Sequence, residues 1–468
     1  MPDLWTRLAE QTRAWPALER QSLADAVWHP YVVARFGRTG DERALPFLYP
    51  YLNRADPQTR HRAIDAAGRV FEGRGPDVLG QLDYFTRNTD TFVRDRAVFV
   101  VGAALGGHPD AVLLDTLAPY LKHKNRFVQH CAITALCRAA AGRASQTLLE
   151  AVLDVERHLS WDLEYDVGTL FAGRPTETAY QIATGPDADG DLEGLGIMLE
   201  GASHEWFERG CRECFNRHRR WGMQGLAIAA RGRGMQGLDY LLPLCRDRLT
   251  SKGLLVQAPA CFAGVVPDAE RGPLEELVRS GDVPVQRLAT VCLGRLLAAT
   301  EDREAVELLR PLLDSRNGSV RAAALEGLGQ IAQSSCDESL RKWCLSHVQD
   351  AETARAAVEM LGRLFEGSGR FDLFEQVRDQ AQIWQARPAG RKQYRPLIEC
   401  YHAVGRLYQG TGSEEPFDFL LDALSPSPLQ WCAYRAAAAR ALIHIEFSPR
   451  ALERVYARQS EGKSAPLL

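Results

Sequence analysis

A short pattern returns along this chain at a nearly constant interval, and that period limits the fold more than any other feature. In "SVRAAALEGLG", Ser319 to Gly329, residues Val320, Ala324 and Leu328 fall four apart, so a helix stacks them on one face. Arg321 sits just off that stripe, and Gly329 stands where a helix can end in the left-handed conformation that glycine tolerates. Asp314 to Gly318, "DSRNG", supplies turn chemistry ahead of it. The pattern recurs as "TRHRAIDAAG" from Thr59, "VRDRAVFVVG" from Val93, "VQHCAITALC" from Val128, "LEYDVGTLFA" from Leu163, "VQRLATVCLG" from Val285 and "TARAAVEMLG" from Thr353. Starts at 59, 93, 128 and 163 are 34, 35 and 35 residues apart, and those at 285, 320 and 353 are 35 and 33 apart. Looser copies begin at Trp28, Leu192, Trp221, Leu255 and Pro396.

Each copy follows an apolar segment, such as "ALPFLYPYL" (Ala44 to Leu52), "VLLDTLAPYL" (Val112 to Leu121) or "AVELLRPLL" (Ala305 to Leu313). Two helices joined by a short turn, repeated at this period, cannot bury their apolar faces alone and must stack on neighbouring copies. The expected fold is an all-α solenoid of about twelve helix pairs, with a thirteenth around Trp431 to Ile443. Pro50, Pro119 and Pro311 fall late in first helices and are expected to kink them.

The residues Asp56, Arg60 and Gly68, Arg94 and Gly102, and Asp314, Arg321 and Gly329 carry a resemblance to the HEAT-repeat family, especially the bacterial HEAT-like units related to those of phycobilin lyases. The resemblance spans residues 28–445 and implies a right-handed superhelix in which the turn Asp and the Arg of neighbouring repeats interact. Gln129, Glu164, Gln286 and Ala354 occupy the Arg slot, so that ladder is expected to be interrupted. The implied organisation is an N-terminal cap at 1–27, a continuous solenoid at 28–445 with an irregular middle at 150–260, and a C-terminal cap and tail at 446–468. A repeat of this kind implies architecture and no activity.

Composition narrows the functional classes. The 468 residues contain no Pro/Ser/Gly-rich linker long enough to separate domains, and no run of about 18 apolar residues that would span a membrane. "MPDLWTRLAEQTRAWP" carries charges where a signal peptide needs an apolar core, so a cytoplasmic location is expected. The eleven cysteines read as small buried hydrophobes. Cys211, Cys214 and His218 share a helical face and raise a zinc site, with Cys245 or Cys261 as the fourth ligand, but no second paired motif completes it. Core packing is the preferred reading, and no metal or other cofactor is expected. Phosphate-loop, H-E-x-x-H and G-x-S-x-G motifs are absent, and the single His204-Glu205 pair cannot furnish a di-iron centre of the deoxyhypusine hydroxylase kind.

Charge is segregated in the irregular middle. Residues 150–208 carry fourteen acids against two bases, a net of −12, whereas 209–252 carry ten bases against three acids, a net of +7. Either these blocks pair with each other, or they present separate surfaces to partners. The expected function is a non-enzymatic adaptor or scaffold that binds another protein of anionic surface on the concave face. Arg209, Arg212, Arg217, Arg219, Arg220 and Trp221 form its basic contact, and Asp187, Asp189 and Asp191 a second, acidic one. A nucleic-acid-binding HEAT protein is the alternative, weakened by the overall charge of −4. A HEAT-type lyase or DNA glycosylase ranks below it, because no catalytic residue matches position by position.

Overall fold

Helix pairs fill the chain wherever the computed structural model describes it: residues 45–53, 57–156, 163–185, 192–217, 222–246, 251–386 and 391–411, with scattered positions between 413 and 445. The expected caps at 1–27 and 446–468, and most of the thirteenth unit, lie outside the described residues. The first helices are α1 (Leu45–Leu52), α3 (Asp83–Thr86), α5 (Asp110–Leu121), α7 (Gln146–Glu156), α9 (Glu177–Ala183), α11 (His204–Arg217), α13 (Gly234–Leu241), α15 (Pro267–Val278), α17 (Arg303–Leu309), α19 (Glu338–His347) and α21 (Phe371–Ala386). Their second helices are α2 (Pro57–Phe71), α4 (Thr91–Ala104), α6 (Arg126–Ala139), α8 (Leu163–Leu170), α10 (Glu193–Leu199), α12 (Gly222–Ala229), α14 (Ser251–Gln257), α16 (Val283–Leu296), α18 (Gly318–Ile331), α20 (Ala354–Leu364) and α22 (Arg391–Leu407). Among the described residues the only β pairing is an isolated bridge between Gln409 and Ile445.

The chain divides into two compact units, the first holding α1–α14 and the second α15–α22. Within each, consecutive even-numbered helices pack directly on one another: α2 on α4, α4 on α6, α8 on α10 and α10 on α12 in the first unit, α16 on α18, α18 on α20 and α20 on α22 in the second. Small residues make this approach possible. Gly68 faces Ala103, Gly102 faces Ala135 and Gly362 faces Ala403, the last so closely that a Cβ would stand 2.8 Å from the Ala403 Cα.

That packing corrects one expectation. Gly329 does not end its helix: α18 continues to Ile331, and Gly329 is buried against Met360. The left-handed residues stand further on, in the loop after each even helix. There Gly73, Gly107, Gly142, Gly173, Gly232 and Gly367 have positive φ, and each donates its N–H to a carbonyl near the end of the next even helix, as Gly73 does to Ala103 at 2.9 Å. A second donor two residues on repeats the bond, from Gly75 to Ala104 and from Gly369 to Leu407. These bonds satisfy helix-end carbonyls and tie each repeat to the next.

The side-chain ladder is present at Arg60 and Arg321, lapses at Gln129 and Gln286 as expected, and lapses also at Arg94, which donates to the Asn88 carbonyl of its own repeat. Arg60 pairs with Asp90 of the following turn, and Arg321 reaches Asp350 at 2.9 Å while donating to the Ser315 carbonyl. Gln129 and Gln286, in the Arg slot, turn back instead to the Leu121 and Val278 carbonyls of their own first helices. Pro311 coincides with a switch of α17 into a 3-10 turn at Arg310–Asp314, whereas Pro50 and Pro119 stay inside α1 and α5. In the basic stretch 385–396, Gln385 and Ala386 close α21, and Arg391 to Pro396 open α22.

Candidate partner-binding surface

The sequence places its basic contact on and after α11, and four described cations of that block are engaged inside the chain. Arg209 makes a fork to Glu177 of α9, with Nη1 2.7 Å and Nη2 2.8 Å from its two oxygens, while the guanidinium lies 4.2 Å over Tyr180 and 5.2 Å from the Trp206 ring centre. The hydrogen bond from Arg209 holds the Glu177 carboxyl below its ordinary value. Arg212 approaches Glu208 at 3.4 Å, and Arg231 approaches Glu200 at 3.5 Å. Arg233 acts as a staple, donating to the carbonyls of Leu199, Ala202 and Ala229 with its face 4.1 Å over Phe207. Through Arg209 and Arg231 the acidic and basic blocks meet each other across neighbouring repeats. Arg217 is the last residue of α11, while Arg219, Arg220, Trp221, Asp187, Asp189 and Asp191 lie outside the described residues.

Cys211 and Cys214 are both buried on α11, and His218 lies outside the described residues. Burial pushes the Cys211 thiol up and that of Cys261 up to about 12. Among the described residues no group of three or more His, Cys, Asp or Glu side chains is placed to hold a metal.

A charged lattice on the second unit escaped the sequence reading. Arg355 of α20 touches carboxylates on three consecutive even helices: Glu326 of α18 at 3.3 Å, Glu359 of its own helix at 3.2 Å and Glu399 of α22 at 3.7 Å. Glu359 in turn accepts from Arg363 at 3.1 Å, and His402 stands 3.5 Å from Glu399. Burial, then repulsion from Glu359, pushes the Glu326 carboxyl up to about 7 despite Arg355 and Arg363. The signal was available as Arg355, Glu359 and Arg363 at i, i+4 and i+8, but its partners on α18 and α22 are distant in sequence.

The fold and these surfaces define an all-α stack of helix pairs built on HEAT-like units. Residues 271–362 match the family model described as HEAT repeats. No curated protein matches the chain. Among solved structures the chain is similar to a multiply substituted Kap121p (12% identity, 90% of this chain and 46% of that one, TM-score 0.37). It is similar also to importin beta in a polyethylene glycol condition (12%, 93% and 66%, TM-score 0.35) and to yeast importin-beta, Kap95p (12%, 92% and 63%, TM-score 0.37). The chain therefore spans less than two thirds of the length of each.

Proposed function

We propose that this protein is a non-enzymatic binding module, an adaptor or scaffold that holds another protein on the concave face of its stacked helix pairs. The observation that carries the reading is the mode of stacking. Even-numbered helices are seated on one another through glycine and alanine and tied by the loop-to-helix backbone ladder, so surface side chains occupy set positions before a partner arrives. A surface ordered in advance loses little conformational freedom on docking, which favours affinity without new contacts. The partner is a protein with an anionic surface, met in part by the basic segment Arg212, Arg217, Arg219, Arg220 and Trp221. Asp187, Asp189 and Asp191 supply a second, acidic contact, and Arg209 serves by bracing α11 against α9 through Glu177. The cytoplasm is its proposed location.

Affinity capture from the native host's lysate tests this, with nuclease-treated and untreated arms, using the wild type and a variant carrying Arg217→Glu, Arg219→Glu and Arg220→Glu. A stoichiometric protein partner that survives nuclease and is lost from the variant is the expected result. Recovery of nucleic acid alone would overturn the protein-binding reading. A partner held equally by the variant would displace the basic segment from the interface.

A further inference from the structure

The strongest uncommitted feature of the described surface is a run of cations and phenyl rings across α2, α4 and α6. Arg96 of α4 lies with its guanidinium 3.8 Å from the centre of the Phe92 ring and 4.3 Å from that of Phe127 on α6. Arg60 shares Phe92 at 4.2 Å. One turn further along, Phe99 of α4 meets His61 of α2 edge-on at 6.3 Å and Arg138 of α6 at 5.8 Å. The run thus crosses three consecutive repeats on the layer of second helices.

The acids around it are already occupied. Asp90 accepts from Arg60 and caps the start of α4, Asp65 stands 3.7 Å from Arg62, and Asp95 accepts from Asn125 at 3.0 Å. Arg96 and Arg138 differ: among the described residues neither guanidinium has a hydrogen-bond or ion-pair partner, and phenyl rings lie beside both. Arg138 is exposed, and burial holds Arg96 below its ordinary value, with Arg60 adding repulsion against the pull of Cys131 and Asp95. Burial also holds His61 below its ordinary value, as do Arg96, Arg62 and Arg138, against the pull of Asp65. A guanidinium stacked by its face keeps its in-plane N–H fork for a carboxylate or phosphate.

We propose that the α2–α4–α6 face is a docking site for an acidic peptide segment of the partner, whose carboxylates take the open forks of Arg96 and Arg138. The aromatic rings decide between carboxylate and nucleic acid. Single-stranded nucleic acid needs free ring faces for its bases, and here Phe92, Phe99 and Phe127 are each engaged by a cation. A flanking acidic chain needs only the guanidinium edges. This inference rests on the protein-binding reading above but names a different surface.

The test is fluorescence anisotropy on the full chain at low salt, with labelled oligoglutamate, oligoglutamine of the same length and oligothymidylate as probes. Oligoglutamate is expected to bind wild type, to lose about tenfold in affinity with Arg138→Gln and about tenfold with Arg96→Lys, and to be unaffected by Arg303→Gln at an exposed position of the second unit. Arg138 is exposed, so its variant keeps the fold, and circular dichroism verifies this. Arg96→Lys keeps the charge and removes the fork, separating bidentate recognition from simple attraction. Absence of oligoglutamate binding, wild-type affinity in both variants, or tighter binding of oligothymidylate would each overturn the proposal. The lysate capture repeated with Arg96→Lys and Arg138→Gln together separates the two readings. A protein partner still held by that variant sinks the α2–α4–α6 site alone, whereas no partner for any form sinks the adaptor reading and leaves the peptide titration to judge the site.

Discussion

The two units use the same helix stack with opposite treatments of their arginines. In the second, Arg355, Arg363 and the carboxylates of Glu326, Glu359 and Glu399 neutralise one another across α18, α20 and α22. In the first, Arg96 and Arg138 rest on phenyl rings with their donors open. Charge near a repeat interface can therefore serve cohesion or recognition, and the choice turns on whether the neighbouring helix offers a carboxylate or a ring. The loops differ too. The first unit places glycine at most left-handed positions, as at Gly73 and Gly107, whereas the second mixes glycine, as at Gly367 and Gly369, with Ala299, Glu301, Ser334 and Cys336. These still donate across repeats, Ala299 to the Gln330 carbonyl at 2.9 Å and Cys336 to that of Leu364 at 3.0 Å.

The seam of the first unit offers the hardest way to break this comparison. Gly168, Gly194, Gly196 and Gly225 let α8, α10 and α12 approach until a Cβ on Gly194 would run into the Glu164 backbone. Gly194→Ala is expected to cost about 3 kcal/mol, because the methyl would run into the α8 backbone at Glu164 and Tyr165, which cannot swing aside as a side chain can. Urea unfolding followed by circular dichroism measures it, and a loss under about 1 kcal/mol would mean the seam relaxes. Next in size, Arg355→Gln leaves three clustered carboxylates without their shared cation and is expected to cost about 2 kcal/mol, less than a fully buried pair because the arginine is partly exposed. Arg138→Gln in the first unit should stay within about 0.5 kcal/mol. Equal costs in the two variants would erase the distinction between a cohesive and an open arginine.

A pH series sharpens it further. The folded Glu326 carboxyl titrates near 7 against an ordinary value of 4.5, so between those values the native state holds more protons than the unfolded chain. Stability from this group is therefore greatest at low pH, falls as pH rises from 4.5 to 7, and is flat above. Thermal melts of Glu326→Gln should lack that decline; an unchanged profile would place the titration elsewhere. The smallest effect belongs to the loops. Ala299→Gly and Ser334→Gly should each raise stability by about 0.5 kcal/mol, because relief of left-handed strain slightly exceeds the extra freedom glycine adds to the unfolded chain. Hydrogen exchange at the Gln330 and Arg363 ends of α18 and α20 provides the readout, and faster exchange would show that the strain is absorbed by the neighbouring bonds.

The sequence by itself determined the all-α fold, the pairing of helices, the period and the lapses of the Arg ladder at Gln129 and Gln286. Each of these follows from side-chain spacing within a few turns of one helix, which is local information. Gly329 marks the boundary of that legibility: its period was readable, but whether it caps α18 or seats Met360 depends on a helix one repeat away. Only the tertiary structure decided which charges are committed. Arg209 read as an interface residue and finds Glu177 thirty-two positions back, while Arg96 and Arg138 drew no notice and stand open on phenyl rings. Pairing of this kind is set by the register between stacked helices, and a shift of one turn exchanges a carboxylate neighbour for an aromatic one.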